Sequence, residues 1–171
     1  MDNGSSFPVW QTKKIEDVLK IASGRDCRHL GEGAIPVFGT GGLMTKVDSF
    51  LHDGETVCIG RKGTIDKPMY YKGKIWTVDT LFFTHSFTDV LPKFLFYAFQ
   101  SINWKEHNEA SGVPSLSKNT IKKISFKIPS EKEQRYVVAA LDSISQKNEI
   151  EKGILTLYQR QQKYFLDNLF I

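Results

Sequence analysis

The chain has 171 residues, of which 40% are hydrophobic, 25% charged and 12% aromatic, a globular composition that excludes collagen-like, mucin-like and wholly disordered proteins. A domain of this size buries about two thirds of the surface its unfolded chain exposes, so it needs neither disulfides nor metal to fold. The net charge is +4, no run approaches about 18 apolar residues, and residues 1–10 carry no basic segment followed by an apolar one; the expectation is a cytoplasmic protein with no membrane span or signal peptide.

In chain order, Lys13 to Ile21 places Ile15, Val18, Leu19 and Ile21 on one side of a predicted short helix, with Thr12 positioned to cap it and Ser23-Gly24 to end it. From Ile35 the pattern changes to short apolar runs punctuated by glycine: IPVFGTGGL, ETVCIGRKGTI, PMYYKGKIWTV and TLFFTH. These read as strands and turns of a small all-β or mixed sheet rather than βαβ units, with Trp76, Phe82 and Phe83 in the core. Leu91, Phe94, Leu95, Ala98, Phe99 and Ile102 recur at helical spacing and predict a helix over 91–102 with a wide buried face. Ser117 begins a capped helical turn, Ile124 to Ile128 form a strand, and Pro129 stops it.

A capping box follows at Ser130 and Glu133, and from there to the last residue there is no proline and one glycine, Gly153. The segment predicts one helix of about forty residues, on the order of 60 Å long. Val137, Leu141, Ile144, Asn148, Glu151, Leu155, Tyr158, Gln162, Phe165 and Leu169 alternate spacings of four and three, a coiled-coil seam with polar breaks that fix register at a cost in stability. A helix folded back on its own body is the competing reading. The expected fold class is α+β: a β-rich domain over 1–129 and a coiled-coil-forming helix over 130–171.

Charge is placed unevenly between these parts. Residues 1–129 hold 17 Lys and Arg against 13 Asp and Glu, whereas 130–171 hold 6 against 6. Arg61, Lys62, Lys67, Lys72 and Lys74 form one basic run, Lys118, Lys122, Lys123 and Lys127 another. A basic body with a neutral tail suits a polyanion on the one and protein on the other, with ordinary solvated loops as the alternative. Two glycine turns lie in the basic part, Gly39-Thr40-Gly41-Gly42 and Gly60-Arg61-Lys62-Gly63-Thr64. Glycine lets backbone N–H groups approach a phosphate closely, though neither turn matches a P-loop or a dinucleotide motif.

Catalytic chemistry has little support. There is no GxSxG elbow, no HExxH or CxxC, and Cys27 and Cys58 are expected to be free thiols, with no metal site. The alternatives to binding a large polyanion are a nucleotide-binding enzyme built on the GTGG and GRKGT loops, which would bind ATP or AdoMet tightly, and a scaffold that uses the helix alone.

The run Ile35-Pro-Val-Phe-Gly-Thr-Gly-Gly, the run Val57-Cys-Ile-Gly-Arg-Lys-Gly-Thr-Ile with Pro68, and Trp76-Thr-Val-Asp-Thr-Leu-Phe resemble the target recognition domain of Type I restriction-modification specificity subunits. Ser111-Gly-Val-Pro-Ser-Leu, Ile128-Pro with Glu133-Gln134, and the close at Leu169-Phe170 resemble that family's junction into its spacer helix. The resemblance runs from Trp10 onward. It implies a non-catalytic DNA-reading subunit that places adenine methyltransferase subunits, and through them restriction subunits, on a bipartite target. AdoMet, ATP and Mg would then belong to the partners, with no cofactor in this chain. Family members typically carry two recognition domains and two helices, whereas one of each is present here. A homodimer with antiparallel helices, on an interrupted palindrome whose half-sites lie about one DNA turn or somewhat more apart, restores the symmetry; a fragment excised from a two-domain subunit is the alternative.

The residues expected to meet DNA are Gly39, Thr40, Gly41, Gly42 and Lys46 in one loop, Arg61 and Lys62 in a second, and Ser117, Lys118 and Asn119 in a third; Arg25 and Arg28 are weaker candidates. Val137, Leu141, Ile144, Asn148, Leu155, Tyr158, Phe165 and Leu169 are the residues expected to meet a partner helix.

Overall fold

The computed structural model describes residues 10–169, so residues 1–9 and 170–171 lie outside the described residues, Phe170 of the predicted helix close among them. The chain divides into two compact units, 1–135 and 136–171. The first is built on a six-stranded sheet of β2 (Lys20–Ser23), β3 (Glu32–Gly39), β4 (Gly42–Val47), β5 (His52–Gly60), β6 (Met69–Thr77) and β7 (Leu81–His85), in the order β2-β7-β5-β6-β3-β4. Neighbouring strands are antiparallel except β3 and β6, which pair in parallel through Val37 with Trp76 and Phe38 with Thr77. The sheet is therefore mixed, one of the two forms that the glycine-punctuated runs predict, and the α+β class holds.

Two apolar clusters line this sheet. Cys58, Ile75, Leu81 and Phe83 form one, and Val37, Val47 and Trp76 the other. Thr56 and Thr84 are fully buried yet satisfied: Thr56 Oγ1 donates to Thr84 O at 2.8 Å, and Thr84 Oγ1 accepts from Val57 N at 2.9 Å. Their side chains tie β5 to β7 while keeping both hydroxyls paired; an unpaired buried polar atom would cost about 1–3 kcal/mol. Burial pushes the Cys58 thiol up to about 12, so this cysteine is packing and not a nucleophile.

The helix over Lys13 to Ile21 is not observed. Strand β1 (Gln11–Lys14) pairs with β8 (Ser125–Ile128), so Thr12 lies opposite Lys127 instead of capping a helix. Only a single turn, α1 (Ile15–Val18), separates β1 from β2, and Lys14 N donates to Asp17 at 2.9 Å at its start. The apolar positions that suggested one helical face are still buried, Ile15 and Val18 beneath the turn and Ile21 on a strand. Long-range pairing of both flanks outweighs a local helical pattern too short to stand alone.

The other helices follow the sequence closely. Helix α2 (Pro92–Gln100) buries Phe94, Leu95 and Phe99, and the last packs edge-on against Trp104 at 5.4 Å between ring centres. Helix α3 (Lys118–Lys123) is capped by Ser117, whose Oγ accepts from Thr120 N at 3.1 Å. Helix α4 runs unbroken over Glu131–Leu169, and Gly153 does not interrupt it. At its start Glu133 accepts from Ser130 N at 3.0 Å. Gln134, 1% exposed, then does three things at once: its Oε1 accepts from Leu91 N at 2.8 Å, and its Nε2 donates to Asp89 O at 2.9 Å and Pro129 O at 3.1 Å. No helix among the described residues is long and apolar enough to cross a membrane.

The second unit is a stretch of one helix. Of its predicted seam, Ile144, Leu155, Tyr158, Phe165 and Leu169 are exposed. Ile150, Ile154, Leu157 and Tyr164 are exposed as well, and at 100° per residue they lie about a quarter of a turn from that seam. The apolar surface is thus broader than a single stripe.

Candidate nucleic-acid interface

The predicted DNA-facing loops, far apart in sequence, come together at one end of the sheet. In the first, Thr40-Gly41 is the two-residue turn joining β3 to β4, closed by the pair Gly39 and Gly42. Gly42 has φ +108°, a conformation that glycine adopts without a steric penalty. A Cβ placed on Gly41 or Gly42 would meet nothing within 4 Å, so the turn is open to an approaching ligand.

The second loop leaves β5 at Gly60. A Cβ there would overlap the Thr64 carbonyl oxygen, so only glycine lets the loop fold back this tightly. Arg61 N donates to Thr80 O at 2.8 Å, and Gly63 N to Pro114 O at 2.8 Å. Gly63 also borders the first loop, because a Cβ on it would lie 3.4 Å from Thr40 Oγ1. The third loop joins through backbone contacts, with Leu116 N donating to Arg61 O at 2.9 Å and Lys62 bridging Ser115. Asn108 Oδ1 accepts from Ser115 N at 2.9 Å, and Glu109 accepts from Ser117 Oγ at 2.8 Å and from Thr120 Oγ1. Those hydroxyl donors, Thr120 first and then Ser117, hold the Glu109 carboxyl below its usual range.

Between the second and third loops lies an open cleft of about 860 Å³, lined among others by Ser23, Arg61, Lys62, Phe82, Ser117 and Lys118. Its floor is the Phe82 ring, with the Arg61 guanidinium 5.9 Å and the Lys118 ammonium 5.7 Å from the ring centre. Phe82 is 3% exposed, so it belongs to the core and at the same time carries two cations on its face. Neither cation forms an ion pair among the described residues. Burial, then the nearby Lys122 and Arg61, push the Lys118 pKa down, while Asp79 and Glu109 line the same cleft without an ion pair to either cation among the described residues.

The other sequence candidates sit elsewhere. Lys46 is on edge strand β4 opposite Pro36, and Asn119 is on the first turn of α3, outside the cleft lining. Arg25 is held through its backbone, its N donating to Thr77 O at 2.8 Å and its O accepting from Trp76 Nε1 at 2.9 Å. Arg28 is tied to Asp26 at 3.1 Å. The basic run 61–74 divides: Lys72 and Lys74 face Glu55 and Asp53 across the β5–β6 ladder, while Arg61 and Lys62 stay at the cleft. Sequence reading missed Ser23, Ser115 and Glu109, since nothing local marks residues brought to the cleft by strand pairing and loop closure.

Comparison with known proteins bears on the family and the fold. The family model of the Type I restriction modification DNA specificity domain matches residues 9–157. The specificity subunit of the Type I restriction enzyme EcoprrI from Escherichia coli is 25% identical over 141 residues, covering 76% of this chain and 34% of that protein. Among solved structures, the S subunit of the Type I restriction-modification system from M. genitalium superposes with a TM-score of 0.75 at 14% identity, over 99% of this chain and 48% of that one. The HsdS subunit from Thermoanaerobacter tengcongensis gives 0.62 at 16% identity, over 85% of this chain and 40% of that one. These structural likenesses show the fold; the chain spans about a third of the curated relative and under half of either structure. With the family model matched across most of its length, the chain belongs to the Type I restriction-modification DNA specificity family.

Proposed function

We propose that the chain is a non-catalytic DNA specificity subunit that reads one half of a bipartite target and carries partner subunits to it. The observation that supports this most is the meeting of the predicted loops around Arg61 and Lys118, two cations with no carboxylate partner set on one aromatic ring. Cations arranged in this way favour phosphate oxygens and release counterions when they bind. Thr40, Gly41 and Gly42 supply an open turn beside them for close backbone approach.

The long helix serves the assembly in this reading. A helix with an apolar arc and no core of its own gains by covering that arc with protein. A second copy, antiparallel, occupies the seam at Ile144, Leu155, Tyr158, Phe165 and Leu169, and methyltransferase subunits take the flank at Ile150, Ile154 and Leu157. Restriction subunits join through the methyltransferase, and AdoMet, ATP and Mg are bound by those partners. Two-fold symmetry then makes the target an interrupted palindrome.

The test is Arg61→Ala in a titration against duplex DNA over a range of salt concentrations. Affinity should fall about tenfold for all sequences, and the slope of log K against log salt should flatten by about one. Relaxed preference at a single base pair would assign Arg61 to base reading instead. An unchanged isotherm would remove Arg61 from the interface and favour a scaffold that uses only the helix.

A further inference from the structure

Among the described residues of the first unit, the two most exposed large apolar side chains are neighbours: Leu43 at 58% and Met44 at 62%. They stand on the β3–β4 hairpin, directly after the open glycine turn. Val37 pairs with Thr45 and Phe38 with Leu43, so Met44 is the extra residue of a β-bulge, a feature that re-aims a side chain. Gly39 leaves room for it, because a Cβ there would come within 2.8 Å of Met44 Sδ. Strand β4 is the sheet edge and has one free side, and β3 pairs with β6 only as far as Phe38, so the tip of the hairpin beyond that pair is two-stranded. Its turn adjoins the cationic loop, where Thr40 Oγ1 borders Gly63.

An apolar tip next to unpaired cations is poorly suited to a purely apolar partner and well suited to a polyanion that has an apolar feature of its own. A two-stranded ribbon fits the major groove of B-DNA, about 12 Å wide, and not the minor groove, about 6 Å wide. In the major groove the apolar feature on the base edges is the 5-methyl group of thymine. We infer that the β3–β4 hairpin enters the major groove and that Leu43 and Met44 read thymine by packing on its 5-methyl group, while Arg61 and Lys62 hold the neighbouring phosphates. This rests on the DNA-reading function proposed above and names the base feature it reads.

The test uses the full chain and random-sequence duplex pools amplified with either dTTP or dUTP, since uracil lacks only that methyl group. The wild-type chain should enrich a motif with at least one thymine position that goes blank in the uracil pool, with affinity lower by about fourfold for each methyl group taken out of the interface. The variant Leu43→Ser/Met44→Ser, changed only at exposed positions, should enrich the same motif from both pools with that position blank and with an unchanged salt slope. Equal motifs and affinities for the wild-type chain in both pools would overturn the inference and leave the DNA-reading function standing. A variant that keeps the thymine preference would overturn it too. Failure of both pools to bind, under conditions where the chain is folded, would bring down both the inference and the function it rests on.

Discussion

Gln134→Leu should destabilise the chain by about 3 kcal/mol or more, roughly a hundredfold in the folding equilibrium. The replacement is similar in size, so packing changes little, but the half-buried Leu91 N–H loses its acceptor, and the carbonyls of exposed Asp89 and buried Pro129 lose their donor. A polar group orphaned out of reach of water costs about 1–3 kcal/mol, and a lost hydrogen bond that water can replace costs about 1 kcal/mol. Urea unfolding followed by tryptophan fluorescence reads the effect through the buried Trp76 and Trp104. A shift of the midpoint with an unchanged slope is expected. A midpoint within experimental error of the wild type would show that Gln134 does not fasten the start of α4 to the loop over 89–91. The pair Glu133-Gln134 thus has two distinct roles: the first side chain accepts from the Ser130 backbone, and the second stitches the helix start to the loop before α2.

Leu155→Glu should convert a dimer into a monomer. Each copy gives up the burial of one leucine, about 2 kcal/mol, and two-fold symmetry counts the loss twice, so the dissociation constant rises on the order of a thousandfold before any cost of burying the new carboxylates. Sedimentation equilibrium at micromolar concentration measures it. The wild-type chain should sediment as a dimer and the variant as a monomer, and their circular dichroism should show whether the isolated helix frays once it has lost its mate. A wild-type chain that is monomeric both with and without DNA would contradict pairing through this seam. Asn148 and Gln162 bear on the same assembly from the other direction: polar residues on a seam weaken it and restrict the register in which two copies meet.

Much of the architecture is legible locally because caps and breakers act within a few residues. Ser117 caps α3, Pro129 closes β8, and Ser130 with Glu133 opens α4, each through interactions no more than three positions apart in sequence. The glycine-separated runs likewise become strands β3 to β7. What fails is the segment from Lys13 to Ile21, whose apolar spacing suits a helical face. Its flanks pair with partners that no local pattern reveals, Lys14 with Ser125 and Lys20 with His85. The breadth of the apolar face on α4 is a different omission. Following one heptad seam passes over Ile150, Ile154 and Leu157, which share a second line at the same spacing.

The candidate interface divides in the same way. Residue type and loop chemistry point to the glycine turns and to Arg61, Lys62 and Lys118, but sequence alone does not bring Thr40 beside Gly63 or put two cations over Phe82. Nor does it show which bases stand opposite carboxylates. Lys72 and Lys74 look equivalent to Arg61 in a count of charge, yet the β5–β6 register sets Glu55 and Asp53 across from them. Strand register decides which part of a basic run lies on the ladder and which lies at the cleft.

Mapping methylated adenines in cells that carry the chain with the methyltransferase proposed as its partner, alongside the variant Arg61→Ala/Lys118→Ala, tests most directly whether the converging loops are the DNA-reading surface. The prediction is one interrupted palindromic sequence methylated throughout the genome with the wild-type chain, and loss of that methylation with the variant even though the subunits still copurify. The same sites methylated to the same extent by both would contradict it.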